Sequence, residues 1–365
     1  MEIEKNLEIL NACRYCPMCR HVCTSGLLSN LESDFPRGRG LIIYHIYKGV
    51  EEYSPDLVNS IYNCVLCGCC WSNCEGGYRM HELVKSARED IVHLGKQPEA
   101  AKEIKDSLIE KDNPYGMDKQ SSFSASIEEK KSDILYYMGP EVNYKNHEIA
   151  RAAIKIFNKL KINYTILKDE PASGKIMSLL GYTADAKRKA KQVYDRIMKI
   201  RCRDIIVSDP LAYDAFKNDY KGWGFNFEGK VRVLHISEYL ALLLKEGDLK
   251  LGEIKKKITL VDSEYLGRFN RIFEQPRDLI KASVNANFTE MRCSKEKLLA
   301  TGEAAFVFKG RKFSDGKKLG EKICSMAQDI DAEEIVTLSA TAKNNLKNCP
   351  GPKVLDITEF VAELI

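Results

Sequence analysis

The 365-residue chain is poor in several features that usually settle a function class early. No apolar run approaches the roughly 18 residues of a membrane span; Tyr239 to Leu244 is the longest candidate and is far shorter. Charge is close to balanced, at +4 overall, so the concentrated basic face that nucleic acid requires is not expected. The opening MEIEKNLEIL carries acids where a secretory leader has a basic region, so no export signal is expected there. No strand-like run is followed by G-x-G-x-x-G, and no P-loop, G-x-S-x-G or His-Glu zinc motif occurs. With 44% apolar residues the chain can bury a sizeable core, and its length allows two or three domains. The expectation is a soluble cytoplasmic protein, able to sit peripherally on a membrane only through a partner.

Cysteine is what the chain has in quantity, with thirteen. Eight fall in two runs, CRYCPMCRHVC (Cys13, Cys16, Cys19, Cys23) and CVLCGCCWSNC (Cys64, Cys67, Cys70, Cys74). Both have the spacing C-x₂-C-x₂-C-x₃-C, in which three thiolates hold one iron–sulfur cluster and the fourth crosses to the other. That scheme assigns Cys13, Cys16, Cys19 and Cys74 to one [4Fe–4S] cluster and Cys64, Cys67, Cys70 and Cys23 to a second. A disulfide framework is the competing use of many cysteines, but it belongs to exported chains. Structural zinc usually takes pairs of cysteines separated by a longer gap. Cys69, Cys202, Cys293, Cys324 and Cys349 show no metal spacing, and Cys69 reads as a spare buried thiol.

Around the runs, Arg14, Arg20, His21, Arg37, Arg39 and Arg79 are placed to offset cluster charge, Arg37 and Arg39 foremost. Trp71, Tyr15 and Tyr78 are candidates to shield the clusters, or simply to pack. His45, His81 and His93 read as surface or satisfied histidines rather than ligands.

Helical spacing is expected over 4–12, 41–50, 55–61, 80–94 and 100–109. Residues 113–132 read as a linker, after a helical domain over 1–112. From Asp133 short apolar runs alternate with helical ones, which argues mostly parallel α/β sheets. Strands are expected at 134–139, 164–168, 204–209, 231–236, 258–263, 288–292, 304–310, 334–339 and 353–357. Helices are expected at 147–160, 185–200, 210–219, 238–245 and 316–329, with a closing helix after the last strand. The basic face of Lys187 to Arg203 is a solvated face or a dock for an acidic partner. DIIVSDPLAYDAFKND…VRVLHISEYLALLL aligns with EIVTLSATAKNNLKN…PKVLDITEFVAELI. An internal duplication of about a hundred residues follows, with halves at 133–250 and 251–365.

The two cysteine runs, PRGRG at 36–40, NPYG at 113–116, YLGRFN with Glu274, Gln275 and Pro276, and the duplicated halves together resemble one family. It includes the iron–sulfur subunit of glycolate oxidase, the C-type subunit of anaerobic glycerol-3-phosphate dehydrogenase and the D-type subunit of heterodisulfide reductase. The resemblance implies an α + α/β chain: a helical, ferredoxin-like domain with two [4Fe–4S] clusters, then two duplicated α/β "CCG" domains with mostly parallel sheets. In that family each later half carries Cys-Cys-Gly and Cys-Pro-x-Cys motifs. Here those positions read Ala172-Ser173-Gly174 and Ala300-Thr301-Gly302, then Asp209-Pro210-Leu211-Ala212 and Leu338-Ser339-Ala340-Thr341, while the upstream cysteine aligns with Glu264. The proline that usually follows the fourth cysteine is Thr24 in one run and Glu75 in the other. The later halves are therefore expected to bind no cluster. The resemblance implies an electron-transfer subunit, with no catalytic residue of its own, working beside an FAD-binding dehydrogenase of the 2-hydroxyacid or glycerol-phosphate type. An electron-transferring flavoprotein, a ferredoxin or a quinone would be the further acceptor. The alternatives are an iron–sulfur scaffold or redox sensor and a heterodisulfide-reducing subunit.

Overall fold

The computed structural model describes residues 1–305, 316–347 and 350–365. Two four-stranded sheets dominate the C-terminal two-thirds. The first contains β1 (Ile134–Tyr137), β2 (Thr165–Ile166), β3 (Asp204–Val207) and β4 (Arg232–His235), in the order β2-β1-β3-β4. The second contains β5 (Lys257–Val261), β6 (Asn287–Phe288), β7 (Glu334–Thr337) and β8 (Lys353–Asp356), in the order β6-β5-β7-β8. Every pairing is parallel. The central strands are buried on both faces, which is why ILYY and DIIV read as unbroken apolar runs.

The halves repeat in detail. Ile134↔Asp204 through Tyr137↔Val207 in the first sheet corresponds to Ile258↔Glu334 through Val261↔Thr337 in the second. After the last strand of each half, His235 and Asp356 open a helix with the same capping box, closed by Glu238 and Glu359. The expected strand 288–292 is reduced to Asn287–Phe288, and the one at 304–310 lies outside the described residues from 306 onward.

The N-terminal part is helical, with Leu7–Ala12, Pro36–Tyr47, Pro55–Tyr62, Met80–His93 and Glu99–Glu110. The helix expected to begin at Leu41 begins at Pro36, with proline at its first position, where the missing N–H is harmless. Gly38 is required there, because a Cβ would stand 1.9 Å from the carbonyl oxygen of Glu32. Residues 113–132 are pinned at a few points while much of the segment is exposed. Asn113 and Ser124 are fully buried, and the Ser124 backbone N–H donates to Asn143 Oδ1 at 2.9 Å.

The N-terminal core does not stop at a boundary. Ile61, Tyr62, Leu83 and Val84 share one apolar cluster with Ile176, Leu180, Leu211 and Tyr265 of the α/β halves. Tyr62 Oη donates to the Leu180 carbonyl at 2.9 Å, and Tyr265 Oη to the Leu66 carbonyl at 3.2 Å. This packing sets the second cysteine run against the α/β body.

Candidate metal centres

The second run sits in an enclosed setting. Cys64, Cys67 and Cys70 line one narrow cavity together with Cys23, Arg39, Met80 and His81. Cys23 therefore lies with the second run, although it closes the first in sequence. A Cβ placed on Gly76, two residues after Cys74, would lie 3.9 Å from the Ala12 carbonyl, so the end of the second run passes near the start of the first. Cys13, Cys16 and Cys23 are all close enough to Cys19 for their charges to act on it. Among the described residues, no three His, Cys, Asp or Glu side chains converge as ligands of a single ion. A cubane takes one thiolate per iron, so its four ligands need not converge on a single ion.

Two buried arginines, Arg88 and Arg268, hold this second loop, and a third, Arg39, lies beside Cys23. Arg39 donates through Nε to the Ser60 carbonyl at 2.7 Å and places Nη1 3.9 Å from Cys23 Sγ. It also lies 3.5 Å from Asp34 Oδ1, and both side chains are almost fully buried. Arg88 donates to the carbonyls of Cys64 at 2.6 Å, Tyr62 at 3.2 Å and Leu179 at 2.7 Å. Arg268 donates to the Cys67 carbonyl at 3.1 Å, the Glu296 carbonyl at 3.0 Å and the Leu298 carbonyl. Arg39 is among the cations expected near a cluster; Arg88 and Arg268 are not. The sequence does carry a signal for Arg88, which falls between Val84 and Ile91 on the apolar face of its helix, where a cation needs a buried partner.

Arg37 behaves differently from Arg39. It is partly exposed, pairs with Glu32 at 2.6 Å and donates to the Tyr15 carbonyl at 3.2 Å, tying the first loop down. The first run is open: Cys16 is exposed, and Cys13 and Cys19 are partly so. Burial pushes the Cys19 thiol up to about 11, and those of Cys67 and Cys70 well above their ordinary value. Such thiols need a compensating positive charge to bind as thiolates, which iron supplies.

His81 corrects an expectation. It is buried, its Nδ1 has no hydrogen-bond partner, and burial lowers it to about 3, with Lys85, Arg79 and Lys175 adding repulsion. Its ring meets Phe269 edge-on at 5.1 Å and Trp71 at 5.3 Å, so Trp71 and His81 form part of the wall over the second loop. Cys69 is fully buried and its Sγ donates to the Leu298 carbonyl at 3.6 Å, a packing thiol.

The two loops that the resemblance aligns with Cys-Cys-Gly are filled by other chemistry. Gly174 and Gly302 share a left-handed conformation, with φ of 87° and 85°. Beside Gly174, Lys175 is buried between Asp214 at 2.5 Å and Asp219 at 2.6 Å. Asp209 caps the helix that follows it, accepting from the backbone of Leu211 and Ala212. In the second half Glu264 accepts from the Gly302 backbone at 2.7 Å and from Thr301 Oγ1 at 3.1 Å. Burial raises the Glu264 carboxyl, against the opposing pull of Arg268.

Comparison with known proteins gives the same broad chemistry. No protein-family model matches the chain. It is 27% identical over 277 residues to the probable iron–sulfur-binding oxidoreductase FadF of Bacillus subtilis, covering 69% of this chain and 39% of FadF. It is 27% identical over 342 residues to the D-type subunit of the dihydromethanophenazine:CoB–CoM heterodisulfide reductase of Methanosarcina barkeri, covering 87% of this chain and 82% of that protein. The chain's relatives are thus iron–sulfur oxidoreductase proteins, though it spans well under half the length of FadF. In fold it is similar to a hypothetical protein from Helicobacter pylori, with a TM-score of 0.56 at 10% identity, covering 90% of this chain and 68% of that one. No helix among the described residues is long and apolar enough to cross a membrane.

Proposed function

We propose that the chain is the electron-transfer subunit of a flavin-linked oxidoreductase. Cys13, Cys16, Cys19 and Cys74 would hold one [4Fe–4S] cluster, and Cys64, Cys67, Cys70 and Cys23 the other. Bound clusters of this type accept and release one electron at a time. The observation that supports the proposal is that Cys23, the last cysteine of the first run, lines one cavity with Cys64, Cys67 and Cys70 of the second. A crossed assignment of the two fourth cysteines would set the two donor sets side by side.

The chain's own residues do the rest. Arg88 and Arg268 fix the carbonyls of Cys64 and Cys67, so the second loop is preorganised. Arg39 presents its guanidinium to Cys23 and favours added negative charge there. Trp71, His81 and Phe269 keep water from that side. The loops at Gly174 and Gly302 carry Ala-Ser-Gly and Ala-Thr-Gly in place of Cys-Cys-Gly, which favours a relay over a disulfide-reducing subunit. FAD belongs to a partner protein, of the 2-hydroxyacid or glycerol-phosphate dehydrogenase type, with an electron-transferring flavoprotein, ferredoxin or quinone as the further acceptor.

Anaerobic purification tests this. The expected content is about eight iron and eight sulfide per chain, the sum of two such clusters. Four or fewer, or stoichiometric zinc, contradicts the proposal. Loss of electron flow from the flavoprotein in Cys16→Ser separates a relay from a scaffold or sensor.

A further inference from the structure

The exposed apolar surface is unevenly distributed. Of the nine large apolar side chains that are exposed among the described residues, three lie on or just beyond the first cysteine run: Tyr15 at 55%, Met18 at 50% and Leu31 at 52%. Hydrogen bonds and ion pairs tie together the segments that carry them. Arg37 donates to the Tyr15 carbonyl and pairs with Glu32, the neighbour of Leu31. Glu32 in turn lies 3.8 Å from Arg20, on the same short turn as Met18.

The patch is also one-sided in charge. Between Glu8 and Glu32 the sequence has no acidic residue, while Arg14 and Arg20 stand exposed. Glu32 is already held by Arg37 and Arg20. Exposed apolar side chains with cations among them, beside exposed Cys16, have the form of a transient docking site, in which the apolar groups bind and the cations steer.

We infer that this patch docks a small one-electron carrier with an acidic face, and that electrons pass between the chain and that carrier here. The inference rests on the relay function above. It gives that relay a direction in space: the Tyr15–Met18–Leu31 patch is the exchange surface, and the second run is the enclosed end. The basic helix Thr183–Ile200 is the rival acid-binding surface; Lys187 and Arg188 are exposed on it.

Binding of an acidic [2Fe–2S] ferredoxin to the cluster-loaded full-length chain tests the surface, with basic cytochrome c as the opposite probe. Ferredoxin binding is expected at low salt and to weaken by about tenfold or more at high salt, the lower range for charge-steered association. An Arg14→Glu/Arg20→Glu variant should weaken it by about tenfold. Leu31→Glu, outside the cysteine run, should weaken it similarly and guards against a variant that fails to load. Lys187→Glu/Arg188→Glu should leave it unchanged. Absent ferredoxin binding, tighter binding of cytochrome c, equal binding by the patch variants or loss in the Lys187/Arg188 variant would each overturn the assignment. Iron and sulfide on the same samples report separately on the relay: a chain without clusters fails there, whatever it binds.

Discussion

The two cysteine runs share one spacing and differ in surroundings: Cys16 is exposed in the first and Cys67 buried in the second, while Cys13, Cys19, Cys64, Cys70 and Cys74 are all partly exposed. The first, at 13–23, is exposed around Cys16 and flanked by Tyr15 and Met18 in solvent. The second, at 64–74, is roofed by the α/β body, with its carbonyls held by Arg88 and Arg268 and its wall made by Trp71, His81 and Phe269. Spacing sets which thiols can ligate; the surroundings set what each site can do. On the proposed relay, the exposed site would exchange electrons with a visitor and the enclosed one would have its potential tuned by burial. The elements that make the difference come from far along the chain: Arg268 stands 201 positions from Cys67.

The largest expected effect comes from breaking the enclosure. Arg268→Met would leave the Cys67 carbonyl without its guanidinium donor, and would leave the Glu296 and Leu298 carbonyls only their bonds from Ser72 Oγ and Cys69 Sγ. About 3–5 kcal/mol should be lost, because one unsatisfied buried carbonyl costs about 1–3 kcal/mol and each of the two further bonds lost about 1 kcal/mol. Urea unfolding of the loaded protein measures this. A change below about 1 kcal/mol would mean the roof does not hold the second loop.

His81 sharpens the contrast through pH. Burial holds it neutral in the folded state, at about 3, while the unfolded chain takes up the proton near 6.5. The unfolded state therefore binds more protons between those values, and stability falls as pH is lowered through that window. At pH 5 the loss is about 2 kcal/mol. His81→Phe should flatten the acid side of the stability profile by that amount; an unaltered slope would place His81 in contact with water.

The exposure difference itself should appear in iron removal. A chelator should take iron in two phases, about tenfold or more apart, reflecting the extra opening the roofed site needs. Cys16→Ser should remove the fast phase and leave the slow one. A single phase would erase the distinction.

The smallest effect concerns tuning. Arg39→Leu should lower the potential of the enclosed cluster by tens of millivolts, because a buried cation 3.9 Å from Cys23 Sγ is removed. Arg37→Leu should change its cluster less, because Arg37 is partly exposed and already paired with Glu32. Equal shifts would mean that burial around Arg39 does not matter.

Much of the fold is legible in the sequence. Strands such as ILYY and DIIV stand out because both faces are buried, and the matching ends of the halves become the same strand order and the same capping boxes. The start of the Pro36 helix is hidden, because two glycines and two arginines read as a loop. Only the approach of the Glu32 carbonyl explains Gly38. The wide turn Glu264–Phe269 carries no periodic signal, and it delivers both Arg268 and Phe269 to the second run. Cysteine spacing nominates the candidate donors. The roof over one set of them is not legible, because it depends on contacts between residues some two hundred positions apart.

The most direct test of the account is Cys23→Ser, loaded anaerobically and followed by chelator kinetics. Crossed ligation predicts that about four irons remain, the content of one cluster, and that all of them leave in the fast phase of the exposed site. Iron that remains in the slow phase would show that Cys23 serves its own run, and would contradict the account.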